Sequence, residues 1–374
     1  MTALVAGAVA VGIWLYLLFL RGGYWLEFLG RSDAAAPPVA PRVVAVIPAR
    51  NEADSIARAV ASLADPVQHI MVVDDASSDG TSQEARAAAP AARLTVVGGE
   101  PLPGGWTGKL WAVHQGVRHA AALNPEYLLL TDADIEHGPG SISSLAARAA
   151  AEGRDLVSNM ATLRCATFAE KALVPAFVYF FLALYPPAWV RDPRRATAGA
   201  AGGCMLIRRD ALDRIGGIAA IRGELIDDCA LARSVKRTGG SIWLGLSDGT
   251  RSLRAYATFA EIERMIARTA FTQLRHSVWL LAATLAALAI TYFLPPALLF
   301  LAPRPAAILG AIAWLLMSIS YFPALRFYRR NPLWAPALPL IAAFYAWATV
   351  HSAVQYWRGS GGMWKGRAQD RKEP

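Results

Sequence analysis

From residue 42 the chain alternates short β-branched apolar runs with stretches whose apolar positions recur at helical spacing. Five runs read as strands: "RVVAVIPA" (42–49), "HIMVVDD" (69–75), "RLTVVG" (93–98), "EYLLLTD" (126–132) and "DLVSNMAT" (155–162). Such runs separated by helical spacers predict an α/β domain, a mostly parallel sheet covered by helices. Longer uncharged blocks flank it. Residues 3–20, "ALVAGAVAVGIWLYLLFL", are about the minimum length for a membrane-spanning helix. A signal peptide is the competing reading, with "DAAAPP" at 33–38 as a cleavage site. No Lys or Arg precedes the run, whereas Arg21 and Arg31 follow it, which favours an anchor with its N-terminus outside.

Three further blocks, 278–302, 306–325 and 333–354, are each long enough to span. Counting sends the chain out, in and out, which leaves "RFYRRN" (326–331) inside, as the positive-inside rule wants, and the basic tail "WKGRAQDRK" outside, against it. The block broken by Pro295 and Pro296 is the candidate for a re-entrant or interfacial segment, and the number of passes stays open. Two other stretches point to a membrane surface. Between 259 and 274 the apolar positions Phe259, Ile262, Ile266, Ala270 and Leu274 recur every three or four residues beside Arg264, Arg268 and Arg275. That predicts an amphipathic helix, for the interface or for packing within the protein. "LVPAFVYFFLALYPPAWV" (173–190) is apolar all round and reads as an interfacial wall or a buried helix. One crossing there would separate Asp132 from Asp228 across the bilayer. The expected layout is an anchor at 1–22, a catalytic domain at 40–276 with interfacial segments near 172–190 and 259–275, membrane helices at 277–355 and a basic tail at 356–374.

Composition supports that layout. Of 374 residues, 55% are hydrophobic, high for a protein without membrane contact. The net charge of +9 lies beside apolar segments, which suits an anionic membrane or a diphosphate, and no nucleic-acid recognition motif is present. Cys165, Cys204 and Cys229 have neither disulfide-framework nor zinc spacing, and the six histidines show no metal-ligand spacing.

Candidate chemistry gathers where strands end. Asp132 and Asp134 stand two apart after an apolar run, a spacing that puts both carboxylates on one side. A divalent cation between them, Mg²⁺ or Mn²⁺, relieves their repulsion; a polar cap is the plainer alternative. "VVDDASSDGT" ends a strand in Asp74 and Asp75, which either cap a turn or accept hydrogen bonds from a nucleoside. The first strand lacks G-x-G-x-x-G, and "GGWTGKL" (104–110) fails as a P-loop because Pro103 and Leu110 occupy required positions. Lys109 remains near a helix start, able to meet a phosphate or to sit in solvent. Asp227 and Asp228 either serve chemistry or simply complement a helix dipole.

Taken in order, "IPARNEADSI", "VVDDASSDGT", "GKLWAVHQG", "LLTDADIEH", "AGGCMLIRRDALDRIGG" and "LIDDCALARSVKRTGG" resemble an inverting family 2 glycosyltransferase with a GT-A fold, over roughly residues 42–276. "GGWTGKLWAVHQG", "LIDDCALA", "RTAFTQLRHS" and "GGMWKGR" are most similar to the hopene-associated glycosyltransferases. The resemblance implies that Glu52 and Asp75 hold the uracil and ribose of a UDP-sugar, with Asp74 nearby at the nucleotide-sugar site, and that Lys109 faces the nucleotide or its diphosphate. It makes Asp132 and Asp134 the metal pair, with Asp134 the closer ligand, and Asp228 the general base, with Asp227 in place of the usual glutamate. Against the family's Q-x-x-R-W, this chain has Thr272, Arg275 and His276 in "TQLRH". Arg275 keeps a place at the diphosphate, and processive synthesis is disfavoured. The implied activity is transfer of one sugar to a lipid hydroxyl, a hopanoid among the acceptors, by a multi-pass protein of a bacterial-type inner membrane with its catalytic domain in the cytoplasm. Transfer to a polyprenyl phosphate and a non-catalytic nucleotide-sugar scaffold are the alternatives.

Overall fold

The computed structural model describes residues 1–30, 42–63, 67–364 and 367–368. The "DAAAPP" stretch, the expected domain start at 40 and residues 365–366 and 369–374 of the basic tail lie outside the described residues. The strands of the main sheet are β1 (Val43–Ala49), β2 (His69–Asp74), β3 (Leu94–Gly98), β4 (Tyr127–Thr131), β5 (Ile135–His137), β6 (Leu156–Thr162), β7 (Cys204–Arg208) and β8 (Ile242–Ser252), and two further short strands, Met363–Trp364 and Arg367–Ala368, pair only with each other. The helices are α1 (Thr2–Leu15), α2 (Ala53–Ser62), α3 (Thr81–Ala87), α4 (Gly108–Ala120), α5 (Ser141–Ala151), α6 (Phe168–Leu184), α7 (Pro187–Arg191), α8 (Arg209–Arg214), α9 (Asp227–Arg237), α10 (Phe259–Ala267), α11 (Ala270–Gln273), α12 (Val278–Leu288), α13 (Leu294–Leu301), α14 (Arg304–Phe327) and α15 (Leu338–Trp357).

All five sequence-predicted strands form, and they share one sheet of order β3-β2-β1-β4-β7-β6-β8-β5. β3, β2, β1 and β4 run parallel, as do β6 and β8, whereas β7 is antiparallel to β4 and β6, and β5 to β8. β1 is buried at every position because both faces are covered, which explains its unbroken apolar run. Val43, Ala45 and Ile47 pack with Ile56 and Val60 of α2 and Leu145 of α5; Val44 and Val46 pack with Leu110 and Val113 of α4. Gly116 permits the close approach of α4, since a Cβ there would come within 2.5 Å of Val46. The parallel strands bring the ends of β1, β2 and β4 to one edge, where α/β folds place their ligands.

Three strands of the eight-stranded sheet escaped the sequence pattern. β5 has three residues, β7 is a five-residue run after a glycine pair, and the second half of β8 carries Asp248, Gly249 and Arg251, residues depleted in strands or too polar to alternate clearly.

Among the described residues five helical stretches are long and apolar enough to cross a membrane: Thr2–Leu20, Phe168–Arg191, Val278–Leu301, Arg304–Phe327 and Pro332–Trp357. Pro295 and Pro296 do not break the third. They fall at the start of α13, after a π-helical turn at Ala289–Phe293, where a missing N–H costs little. α14 packs against α1 and α13, and Gly310 of α14 lets it approach Pro295 and Leu298, where a Cβ would come within 2.8 Å. A buried hydroxyl chain, Tyr24 to Tyr179 at 2.8 Å and Tyr179 to Ser320 at 2.7 Å, joins the N-terminal segment, α6 and α14.

Phe168–Arg191 differs from the other four. It leaves from β6 and returns to β7, and those strands pair with each other, so its two ends lie on the same side and it makes no single crossing. The sequence-predicted amphipathic stretch 259–274 divides into α10 and α11. Ile262 and Ile266 of α10 are buried against neighbouring helices, α10 packs on α15, and Glu263 pairs with His351 at 2.5 Å, so this stripe is largely covered by protein.

Candidate active site

β4 stops at Thr131, and the turn 132–134 carries two carboxylates to different cations. Asp132 Oδ1 lies 2.9 Å from Lys109 Nζ; Asp134 Oδ2 lies 2.6 Å from Arg254 Nε. Lys109 stands in the first turn of α4, whose N-cap Thr107 accepts from Leu110 N at 3.3 Å, and it also reaches Asp227 Oδ2 at 3.1 Å. Asp227 and Asp228 open α9, where a helix N-terminus favours carboxylates. Asp228 is held by two backbone donors, Gly202 N at 2.9 Å and Cys229 N at 2.6 Å. Arg254 follows β8 and extends its guanidinium to Glu52 Oε1 at 2.7 Å.

Burial raises the Asp228 carboxyl to about 6, the neighbouring charge of Asp227 adds to the rise, and Lys109 opposes it. That value suits a base working near neutrality. Asp132 is likewise pushed up by burial, and Asp134 and Asp227 reinforce this against Lys109. For Lys109, burial alone would favour the neutral amine; Asp132 and Asp227 outweigh it and hold the ammonium protonated.

These groups open into one cleft of about 460 Å³. Glu52, Asp132, Asp134, Glu224, Asp227, Asp228 and Glu261 line it against Arg50, Lys109, Arg254, Arg264 and Arg268, an excess of two negative charges. The same cleft continues onto Met160, Leu163, Phe177, Phe181 and Met265. Among the described residues no group of three or more His, Cys, Asp or Glu side chains is gathered to hold a metal. Two carboxylates on a negatively charged cleft nevertheless fit Mg²⁺ or Mn²⁺, which commonly take few protein ligands and complete their shell with phosphate oxygens and water.

The sequence-predicted residues divide accordingly. Glu52, Lys109, Asp132, Asp134, Asp227 and Asp228 share the cleft, although Lys109 meets carboxylates rather than open solvent. Asp74 and Asp75 lie at the neighbouring strand end but do not line it. Asp74 caps its turn, accepting from Ser77 N at 2.9 Å and from the Ser82 hydroxyl, and Asp75 pairs with Arg50 at 3.5 Å. Arg275 is not brought there. It is exposed, and with His276 it takes φ of +53°, turning the chain from α11 into α12, while His276 stacks on Tyr356 at 4.0 Å. Sequence reading missed Arg254, Arg50 and Gly202. Arg50 and Gly202 stood inside quoted motifs, but nothing local marks Arg254, whose partners lie 120 and 202 residues away.

No curated protein matches the chain significantly. Solved structures that resemble it include a mycobacterial protein at 19% identity, with 68% of this chain and 78% of that one covered and a TM-score of 0.40. Glucosyl-3-phosphoglycerate synthase from Mycobacterium tuberculosis matches at 21% identity in complexes with Mn²⁺, UDP and glucosyl-3-phosphoglycerate (68% and 83% covered, TM-score 0.40) and with Mg²⁺ and UDP (68% and 82%, TM-score 0.41). The family model for glycosyl transferase family 2 matches residues 44–216. Over that segment, which runs from β1 through β7 and contains Glu52, Lys109, Asp132 and Asp134 but ends before Asp228, the chain is similar to the family 2 glycosyl transferases.

Proposed function

We propose that this chain is an inverting, membrane-anchored family 2 glycosyltransferase of GT-A fold that moves one sugar from a UDP-sugar to a lipid acceptor. One observation carries the reading: Asp132, Asp134 and Asp228 open into the same cleft as Met160, Leu163, Phe177 and Phe181, so a charged donor end meets an apolar acceptor end. Glu52, with Asp74 and Asp75 beside it, takes the uracil and ribose. Asp132 and Asp134 would hold Mg²⁺ or Mn²⁺, with Asp134 the principal protein ligand. When bound, the metal stabilises the charge on the departing diphosphate.

Asp228 accepts the proton of the acceptor hydroxyl as that oxygen bonds to the anomeric carbon and the bond to diphosphate breaks. One displacement inverts the carbon. The N–H groups of Gly202 and Cys229 orient the Asp228 carboxylate, while Lys109 holds Asp132 and Asp227 in place. α1 and the helices after residue 277 anchor the protein in an inner membrane with the domain on the cytoplasmic side, in keeping with Arg21, Arg326, Arg329 and Arg330 beside the apolar blocks. α6 and α10 form the acceptor's apolar wall, and the resemblance to hopene-associated enzymes supports a hopanoid as acceptor.

A polyprenyl phosphate is the second reading, favoured by Arg264 and Arg268. Both are exposed on the cleft and have no ion-pair partner among the described residues. An anionic acceptor needs no proton removed, so Asp228 is dispensable only in that case.

The test is transfer of labelled sugar from a panel of UDP-sugars into the lipid fraction with Mg²⁺ or Mn²⁺, comparing wild type with Asp228→Asn. Alkali-stable labelled lipid that disappears in the variant is expected. Label that survives in the variant selects the polyprenyl phosphate. No label with any donor, despite metal-dependent UDP binding and supplied hopanoid, leaves the scaffold.

A further inference from the structure

Arg254 bridges two carboxylates given separate tasks above. Its Nε lies 2.6 Å from Asp134 Oδ2 and an Nη nitrogen lies 2.7 Å from Glu52 Oε1, within the cleft that Asp132 also lines. Burial works against a charge at that position, but Asp134 and Glu52 more than offset it. A guanidinium also cannot leave by giving up a proton. A divalent cation approaching Asp134 therefore meets an engaged oxygen and a like charge, and a nucleoside approaching Glu52 meets the other end of the same group.

We propose that Arg254 is an internal counter-ion that closes Asp134 and Glu52 in the donor-free protein and is displaced from both by a metal–nucleoside diphosphate complex. This rests on reading Asp134 as a metal ligand and Glu52 as a nucleotide contact. Coupling follows from the bridge. Metal or nucleoside alone breaks one ion pair and leaves the guanidinium tethered beside it by the other. Together they release both ends, and the freed guanidinium can pair with the diphosphate in bidentate fashion. Metal and nucleotide thus bind as a pair, and because coupling is reciprocal each strengthens the other equally.

The experiment measures Mn²⁺ binding by the full chain in detergent, from the EPR signal of free Mn²⁺, with and without UDP. Wild type is compared with Arg254→Gln, Arg254→Lys and Asp134→Asn. Arg254→Gln should bind Mn²⁺ alone about tenfold more tightly, the scale of one charge-assisted hydrogen bond, and the gain in Mn²⁺ affinity from UDP should shrink. Arg254→Lys keeps the charge but spans one carboxylate at a time, so it should fall between the two and supplies the comparison if the glutamine variant does not fold. Unchanged or weaker Mn²⁺ binding in both Arg254 variants, with binding lost in Asp134→Asn, overturns the counter-ion while leaving the metal assignment standing. Undiminished Mn²⁺ binding in Asp134→Asn removes the assignment and the proposal together.

Discussion

Replacing Lys109 by Met tests whether Asp228 is the base and whether its environment sets the working pH. Asp228 Oδ2 and Lys109 Nζ each lie 3.4 Å from the point a Gly202 Cβ would occupy, so at most about 6.8 Å separates them. At an effective dielectric of about 20 two unit charges that far apart interact by about 2.4 kcal/mol, or somewhat under two pH units. Part of the Lys109 charge is already balanced by Asp132 and Asp227, so a rise of about 1 to 2 pH units in the Asp228 carboxyl is the expected size. The sign is fixed: removing a cation makes a carboxylate harder to ionise, so more alkaline solution is needed to form the base. The assay is the pH dependence of kcat/KM for sugar transfer at saturating metal. The wild-type rate should climb with pH to a plateau whose midpoint lies near the Asp228 value of about 6, and Lys109→Met should move that midpoint upward. The midpoint, not the height, is the readout, because Lys109 also holds Asp132. A midpoint that stays put or moves to lower pH refutes the reasoning.

Because burial raises the Asp228 carboxyl from an ordinary 3.8 to about 6, the folded chain keeps a proton that the unfolded chain has lost; this favours folding at low pH and is lost as pH rises through about 6. Metal-free Asp228→Asn should therefore unfold at higher temperature than wild type at pH 7.5, by an equivalent of about 3 kcal/mol, with the gap closing near pH 4. A gap independent of pH contradicts this. Phe181→Ser, on the apolar side of the cleft, should raise the KM for lipid acceptor severalfold and leave that for the UDP-sugar unchanged, which initial rates at varied acceptor and donor will show. Tyr179→Phe interrupts the hydroxyl chain between Tyr24 and Ser320 and should cost about 1 to 3 kcal/mol of stability in a thermal melt, with nucleotide binding intact.

Much of this protein is written locally. Unbroken apolar runs such as "VVAVIPA" and "YLLLT" mark strands covered on both faces, and their spacing by helical segments determines a parallel arrangement whose ends carry Asp75, Asp132 and Asp134. The apolar blocks at both ends, being simple in length and composition, are equally legible. Tertiary structure alone decided how the charges are neutralised. Asp132 and Asp134, two apart in sequence, face different cations because the strand ends before the first of them, and the cation on the second comes from beyond a strand too polar and glycine-rich to announce itself. It also decided that Phe168–Arg191 returns to its own sheet, since hydropathy reports length and composition but not which strands pair, and that Arg275 does not line the cleft. Periodicity records what each residue does with its near neighbours. The active-site charges meet across the sheet order, which depends on which strands find one another when the whole chain folds.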